Sequence, residues 1–252
     1  MAMLVEKPKH LCRDHILLRI RHDGGTAVPG QFVNIRTCKG TDPLLRRPFS
    51  IFNQEKDLLE VVVKVVGKGT EALQKTEPGE IDLLGPLGRG FSLPSKERVL
   101  IAGGGVGNAP LYYLGRELRA RGNSLFYIYG TRSKDSIYLK NEYCDLFNDI
   151  LFTTDDGTAG CKGSVSEAAK EIVHRERFSR IYSCGPTGMM KAMADLAGPI
   201  PVEVSVENYF GCGIGLCMGC NVETQKGMKR ACIDGPVMDG SSIQWESLTA
   251  RS

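Results

Sequence analysis

Residues 99–130 read VLIAGGGVGNAPLYYLGRELRARGNSLFYIYG, and their pattern gives the clearest indication of the fold of the surrounding chain. The apolar run at 99–102 predicts a buried strand, the glycine-rich residues 103–110 a loop, and residues 111–121 an amphipathic helix. A second apolar run at 125–130 predicts the next strand. Strand, glycine loop, helix and strand in this order are typical of a parallel, doubly wound α/β sheet.

The same alternation continues towards the C-terminus. Apolar patterns predict helices at 136–147 and 164–175, and strands at 150–154, 180–184 and 201–206. We therefore expect an α/β nucleotide-binding domain over residues 96–204.

The N-terminal part of the chain has a different pattern. Short apolar runs separated by proline-glycine turns predict one helical turn at 69–75 and strands at 16–20, 31–36, 49–52, 58–66 and 80–84. These strands predict an antiparallel β-barrel over residues 1–95. The expected fold class is therefore α+β multidomain, with a barrel followed by a doubly wound parallel sheet.

Four cysteines near the C-terminus have the spacing C-x4-C-x2-C-x11-C, namely Cys212, Cys217, Cys220 and Cys232. Plant-type ferredoxins hold a [2Fe-2S] cluster with this kind of spacing. A zinc site and disulfides are the alternatives, but zinc ribbons pair one C-x2-C with another, and the nine cysteines of the chain are an odd number. Residues 205–252 are therefore predicted to form a small cluster-binding module.

Composition narrows the class of protein. With 252 residues, 42% hydrophobic and 24% charged, the chain can bury the cores of two domains. A net charge of +3 with mixed signs does not indicate nucleic-acid binding. No apolar run has the length of a membrane span or a signal peptide, so we expect no membrane partner and a cytoplasmic location.

The glycine loop is the first candidate binding site. It contains Gly103, Gly104, Gly105 and Gly107, followed by Asn108 and Pro110. Glycines between a strand and a helix let the backbone approach a pyrophosphate, whose charge the helix N-terminus attracts. The loop does not follow G-x-G-x-x-G in the usual register, so a tight strand-to-helix turn remains an alternative.

A second candidate site is Arg47-Pro48-Phe49-Ser50, at the start of a predicted barrel strand. The guanidinium can bind a phosphate through two N-H groups, and Arg47 and Phe49 share one face of the strand. An ordinary surface arginine is the alternative.

These residues resemble a known family. Arg47-Pro48-Phe49-Ser50 is similar to the flavin motif of ferredoxin reductase-like proteins, and residues 103–110 and Cys184-Gly185-Pro186 resemble their nicotinamide-nucleotide segments. The cysteine tail narrows the resemblance. With the segments at 29–32, 65–70, 85–88, 154–157 and 234–236, the chain resembles, nearly end to end, the electron-transfer subunits of type B dihydroorotate dehydrogenases.

The resemblance implies three cofactors: FAD, a [2Fe-2S] cluster on the four tail cysteines, and NAD as co-substrate. It implies that Arg47 contacts the FAD pyrophosphate and Ser50 the isoalloxazine ring. Five further residues are implied to line the flavin or lie near its phosphates: Val62, Val63, Lys64, Gly69 and Thr70. Cys184 either lies beside the nicotinamide or is a small buried residue that ends a strand.

The resemblance also implies a partner and a reaction. The partner is an FMN-containing catalytic subunit that oxidises dihydroorotate, in an assembly of two plus two chains. Electrons pass through the cluster and FAD to NAD+, in pyrimidine biosynthesis. A flavin between the two is chemically required, because clusters move single electrons whereas nicotinamide accepts a hydride.

Other members of the same superfamily, and one different class of protein, share these sequence features. Small subunits of sulfhydrogenases and of NADH-dependent ferredoxin:NADP oxidoreductases share the three motifs, and a zinc-binding scaffold without enzymatic activity is a rival of another class. Arg132, after the second strand of the α/β domain, would favour NADP by meeting a 2′-phosphate. The mixed charges of the residues after it favour NAD.

Overall fold

The computed structural model describes residues 1–38 and 40–249. Its N-terminal part is built from short strands and one helix, in chain order β1 (Ala2–Leu4), β2 (Lys9–Cys12), β3 (His15–His22), β4 (Phe32–Ile35), β5 (Arg47–Ser50), β6 (Asn53–Glu55), β7 (Leu58–Lys64), α1 (Lys68–Gln74), β8 (Gly79–Glu80) and β9 (Leu83–Leu87). They form two sheets, one with the order β6-β7-β3-β1-β8 and β2 added on β3, and one with the order β5-β4-β9.

Both sheets are antiparallel, which confirms the predicted class of this domain. The central pair is β3 with β7, in a register that places Ile16 opposite Val63 and Leu18 opposite Val61. These four side chains are fully buried, because alternate residues of each strand face the core. Closure of the two sheets into a barrel stays a prediction.

The second part is the predicted doubly wound α/β domain. Its elements are β10 (Arg98–Gly104), α2 (Asn108–Ala120), β11 (Ser124–Thr131), α3 (Lys140–Leu146), β12 (Asp149–Thr154), β13 (Cys161–Lys162), α4 (Val165–Arg175), β14 (Arg180–Cys184), α5 (Thr187–Ala197) and β15 (Val202–Ser205). The strands are parallel, in the order β13-β12-β11-β10-β14-β15. Their carboxyl ends therefore meet at one edge, where α/β proteins bind ligands.

Three details of this domain differ from the predictions. Strand β10 continues to Gly104 and α2 begins at Asn108, so the glycine loop is shorter than residues 103–110. Helix α5 was not predicted, although Pro186 precedes it and its methionines and alanines are good helix formers. Helix α3 is shorter than predicted, because a 3₁₀ turn and an extended residue precede it.

The C-terminal part contains β16 (Asn221–Thr224), β17 (Gly227–Arg230), β18 (Val237–Asp239) and α6 (Trp245–Thr249). Strands β16 and β17 form a hairpin. Strand β18 pairs antiparallel with β15 and becomes the seventh strand of the α/β sheet. The predicted division at residues 204 and 205 therefore crosses a continuous sheet, and the cysteine segment is fixed to it on both sides.

Direct contacts also join the two larger domains. The Tyr113 hydroxyl donates to the Ala27 carbonyl at 2.9 Å, and the Arg116 guanidinium to the Gln54 carbonyl at 2.8 Å. Tyr113 is buried within the hydrophobic core of the N-terminal domain. Helix α2 thus holds the two domains in one arrangement. Within the described residues, none of the helices is long and apolar enough to cross a membrane.

Candidate functional site

Two cavities meet between the domains. The first, about 340 Å³, lies between the N-terminal domain and the chain after β15. The second, about 420 Å³, lies at the carboxyl edge of the parallel sheet. Lys64, Val106 and Glu207 line both cavities, so the two spaces adjoin at these residues.

The first cavity collects most of the residues expected around FAD. It is lined by Arg47, Pro48, Phe49, Ser50, Val62, Lys64 and Thr70, and also by Pro110, which was expected at the dinucleotide. The Arg47 guanidinium is held by a hydrogen bond to the Leu45 carbonyl at 2.7 Å. A mostly apolar cavity with one fixed guanidinium suits a flat ring system joined to a phosphate. The residues present therefore fit a flavin nucleotide.

Two of the expected flavin residues do not line this cavity. Val63 is fully buried in the N-terminal core, because it alternates with Val62 and Lys64 along β7. Gly69 packs beside Arg47, since a Cβ on it would lie 3.4 Å from the arginine Nε. Contacts of these two residues with FAD stay predictions.

The second cavity collects the glycine loop and the segment after β14. Gly104, Gly105, Gly107, Gly185 and Pro186 line it near the sheet. A Cβ on Gly107 would lie 2.5 Å from the Cys184 carbonyl oxygen, which is closer than real Cβ contacts. The two segments therefore approach each other at a distance that only glycine permits at this position.

The buried side chain of Asn108 holds the glycine loop by hydrogen bonds. It is fully buried, and its amide donates to the carbonyls of Gly105 at 2.8 Å and Gly130 at 3.1 Å. Its side-chain oxygen accepts from the Tyr127 hydroxyl at 2.9 Å. Gly103 is needed for this arrangement, because a Cβ there would lie 2.2 Å from the Asn108 oxygen. Both residues therefore support the loop and do not line the second cavity.

Cys184 ends β14 and is only 2% exposed. Burial raises the pKa of its thiol far above the ordinary value, so the thiol is neutral near pH 7. It does not line either cavity, although Gly185 next to it does. A contact of Cys184 with nicotinamide stays a prediction.

The four tail cysteines form two pairs. The sulfur atoms of Cys220 and Cys232 are 3.2 Å apart. Cys212 forms a hydrogen bond with the Cys217 side chain, and its sulfur accepts from the Leu216 and Cys217 N-H groups at 3.3 and 3.4 Å. Two pairs suit a cluster whose two irons each take two cysteines.

Hydrogen bonds to the sulfur of Cys212 favour its thiolate form. Burial alone would raise the pKa of Cys212, but N-H groups of Ile214, Cys217 and Leu216 and the Cys217 side chain outweigh it, and the pKa falls to about 6. The pKa of Cys232 is raised to about 12 by burial and by Cys220. Cys212 is therefore a thiolate near pH 7, the form in which cysteine binds metals.

The backbone around the first ligands fits an inorganic cluster. Gly211 lies against Cys217, where a Cβ would come within 3.2 Å of the sulfur. Gly213 and Gly215 have φ angles of 72° and 82°, which glycine adopts without strain. These glycines allow the chain to wrap round the ligands and direct N-H groups at their sulfurs.

The arrangement does not suit a single zinc ion. A tetrahedral site needs four ligand atoms close together. Within the part of the chain that the structure describes, a group of three or more such atoms within 4.8 Å of one another occurs only at Cys12, Asp14 and His15. The Lys64 ammonium lies 3.7 Å from the Asp14 carboxylate of that group, and a cation so close opposes metal binding.

The cluster loop adjoins the first cavity through residues for which the sequence predicted no role at the site. The Asn34 amide, on β4, donates to the Cys212 carbonyl at 3.1 Å. Phe32 and Phe210 line the first cavity, with ring centroids 5.1 Å apart. A Cβ on Gly213 would lie 3.7 Å from the Phe32 ring. Phe32, which lies beside Gly213, and Phe210, which precedes the first ligand by two residues, therefore line the cavity next to the cysteine loop.

Glu207 is the other site residue that the sequence did not reveal. It follows β15 by two residues, and a carboxylate after a strand at the carboxyl edge of a parallel sheet was the only available signal.

Fold and site together define a class: a reductase with adjoining flavin and nicotinamide-nucleotide sites and an iron-sulfur module. Two family models match the chain. Residues 207–244 match the iron-sulfur cluster binding domain of dihydroorotate dehydrogenase B, and residues 100–195 match the oxidoreductase NAD-binding domain.

Curated relatives narrow the class. The dihydroorotate dehydrogenase B (NAD(+)) electron transfer subunit of Desulforamulus reducens is 40% identical over 87% of this chain and 88% of its own length. That of Fusobacterium nucleatum is 35% identical over 96% and 97%. The chain belongs to the family of dihydroorotate dehydrogenase B electron transfer subunits.

Solved structures agree with the fold. A chain of an NADH-dependent reduced ferredoxin-NADP oxidoreductase superposes with a TM-score of 0.89 at 33% identity, covering 99% of this chain and 92% of that one. A ferredoxin NADP+ reductase from Neisseria gonorrhoeae, with bound FAD and NADP, superposes with a TM-score of 0.67 at 19% identity, covering 79% and 91%. The predicted fold class and the cofactor set of FAD, [2Fe-2S] cluster and NAD are confirmed.

Proposed function

We propose that this chain carries electrons from a dihydroorotate-oxidising catalytic subunit to NAD+, through a [2Fe-2S] cluster and FAD, in pyrimidine biosynthesis. The observation that carries the proposal is a series of adjoining sites: the cysteine loop lies beside Phe32, which lines the first cavity, and the first cavity adjoins the second at Lys64 and Glu207. A bound cluster supplies one-electron transfer, a flavin exchanges one or two electrons, and nicotinamide takes up a hydride.

The residues of this chain have a separate task at each site. Arg47 and Ser50 hold and orient the flavin, and the glycine loop with Gly185 and Pro186 admits the dinucleotide. The tail cysteines hold the cluster. Contacts between helix α2 and the N-terminal domain keep the separations between the sites constant, which electron transfer requires.

The surface around the cluster loop supports a protein partner. Leu216, Met218 and Ile214 are 78%, 50% and 42% exposed. Adjacent apolar side chains of this size on an exposed loop are typical of an interaction site. We propose that an FMN-containing catalytic subunit binds here, in an assembly of two plus two chains located in the cytoplasm.

A second candidate function rests on the structural comparison. The chain of the NADH-dependent reduced ferredoxin-NADP oxidoreductase superposes over nearly the whole of this chain. If this chain worked in such an oxidoreductase, a different partner subunit would bind at the cluster loop and would supply or accept the electrons. The partner, and not this chain, would then define the overall reaction.

Co-expression with a dihydroorotate dehydrogenase catalytic subunit tests the proposal. The two chains should copurify, and the complex should reduce NAD+ when dihydroorotate is added. Leu216→Asp should abolish copurification, whereas Val5→Asp, at another exposed apolar residue that lines neither cavity, should leave it intact. Reduced ferredoxin as the only effective electron donor would favour the second candidate instead.

A further inference from the structure

Strand β4 has two faces that belong to different parts of the molecule. Val33 and Ile35 are fully buried in the core of the N-terminal domain. Phe32 and Asn34 alternate with them, so their side chains point away from that core. Phe32 packs instead in the core that the α/β domain shares with the cysteine segment. The same short strand therefore contacts both the wall of the first cavity and the cluster module.

The ring of Phe32 fills the space beside the cluster loop. A Cβ on Gly213, in that loop, would lie 3.7 Å from one edge of the ring, and a Cβ on Gly88, just after β9, would lie 3.1 Å from the other edge. The Phe210 ring lies against it as well, with centroids 5.1 Å apart. Because Phe32 is only 3% exposed, little free space is left between these segments.

Phe32 also adjoins the proposed flavin position. Its partner on β5 is Ser50, and both residues line the first cavity. Side chains of directly paired residues lie on the same face of an antiparallel sheet, with their Cβ atoms about 4.5–5.5 Å apart. A flavin ring in contact with Ser50 would therefore have Phe32 as a neighbour, and Phe32 is itself in contact with the surroundings of the cluster loop.

Resting on the proposed function, we propose that Phe32 is a positioning residue for electron transfer between the flavin and the cluster. Its ring fills the space between the two sites and so keeps the cluster loop at a constant distance from the first cavity. The ring acts through its volume and takes up no electron itself. The hydrogen bond from Asn34 to Cys212 holds the same loop from the same face of β4. Since electron transfer weakens steeply with separation, a small displacement of the loop would slow it.

Truncation of Phe32 in the cofactor-loaded protein tests the inference. Phe32→Ala leaves a cavity beside the loop, whereas Phe32→Met fills much of the same volume without an aromatic ring. A laser flash on added deazariboflavin delivers one electron, and absorbance follows the redistribution of that electron between flavin and cluster. Redox titration of both cofactors allows the rates to be compared at equal driving force. Phe32→Ala should slow the redistribution about tenfold or more, and Phe32→Met less than about threefold.

Ile35→Ala is the matched control. Ile35 lies on the same strand, faces the opposite core and lines neither cavity. Both alanine variants leave a cavity in a core, so both should lower the melting temperature. Only Phe32→Ala should slow the electron. If Phe32→Ala does not fold, Phe32→Val leaves a smaller gap and permits the same comparison.

The outcomes separate the inference from the proposed function. Equal rates in Phe32→Ala and Ile35→Ala would overturn the inference alone. Transfer in Phe32→Met as slow as in Phe32→Ala would also overturn it, because the volume of the side chain would then not hold the loop in place. Wild-type protein in which no electron passes between flavin and cluster would overturn the proposed function with it.

Discussion

The side-chain amide of Asn34 donates a hydrogen bond of 3.1 Å to the main-chain oxygen of Cys212. Asn34 is a fully buried residue of the N-terminal domain, and Cys212 is the first cysteine of the cluster loop, 178 residues away. This bond joins the cluster module directly to strand β4, whose Phe32 lines the first cavity.

Asn34→Ala should therefore loosen the cluster loop without removing a ligand. Loss of one buried hydrogen bond costs about 1 kcal/mol, and the Cys212 carbonyl is left without this donor. We expect faster loss of the cluster to a chelator, measured from the decay of its visible absorbance. Asn123→Ala removes a buried amide in the α/β domain and is the control. Equal decay in the two variants would contradict a role for the bond.

Neighbouring arginines provide a matched test of the flavin site. Arg47 lines the first cavity, whereas Arg46 forms an ion pair of 2.7 Å with Asp82 outside it. Arg47→Ala should raise the Kd of FAD about tenfold to a hundredfold, because hydrogen bonds to charged groups contribute about 1.5–3 kcal/mol. Arg46→Ala should change it less than about threefold. Fluorescence titration of the flavin-free protein measures both, and similar losses would refute the assignment.

Gly107→Ala should damage the nucleotide site by steric conflict. The added Cβ would lie 2.5 Å from the Cys184 carbonyl, and such overpacking costs about 1–3 kcal/mol. We expect a lower melting temperature and weaker NAD+ binding, both measured on the cofactor-loaded protein. Gly188 is the control, because a Cβ there meets no atom within 4 Å. Normal NAD+ binding by Gly107→Ala would contradict the close approach of the two segments.

The buried thiol of Cys184 makes a prediction about pH. Because burial raises its pKa, the reactive thiolate should not form as pH rises through the ordinary cysteine value of about 8.5. The exposed Cys161 should be alkylated by iodoacetamide, because solvent and reagent reach its sulfur. Mass spectrometry of peptides from the native, cluster-loaded protein distinguishes the two. Rapid labelling of Cys184 at pH 8 would show that this site is open.

Local patterns predicted most of the fold. The β-branched run of β7 and the strand-glycine-helix order at residues 99–130 each depend on neighbouring residues, so the sequence contains their signal. The pairing of β18 with β15 has no such local signal, because it joins distant segments and β18 has only three residues. For this reason the sequence did not indicate that a strand of the predicted cluster module extends the α/β sheet.

The same limit applies to the site. Ligand spacing identified the four cysteines, because the cluster fixes how far apart its ligands lie along the chain. Asn34, Phe32 and Glu207 acquire their positions only when the domains pack together, and no spacing marks them. Val63 shows the reverse: the resemblance implied a place beside the flavin, yet strand alternation turns its side chain into the core.

We propose that the tail cysteines hold a [2Fe-2S] cluster in electron contact with a flavin in the first cavity. Anaerobic reduction of the purified, cofactor-loaded chain by NADH checks this electron transfer, with flavin absorbance and cluster EPR followed on the same sample. We expect the flavin absorbance to bleach and the EPR signal of a reduced [2Fe-2S] cluster to appear. A colourless, zinc-loaded protein, or a bleached flavin beside a cluster that stays oxidised under a stronger chemical reductant, would contradict the claim.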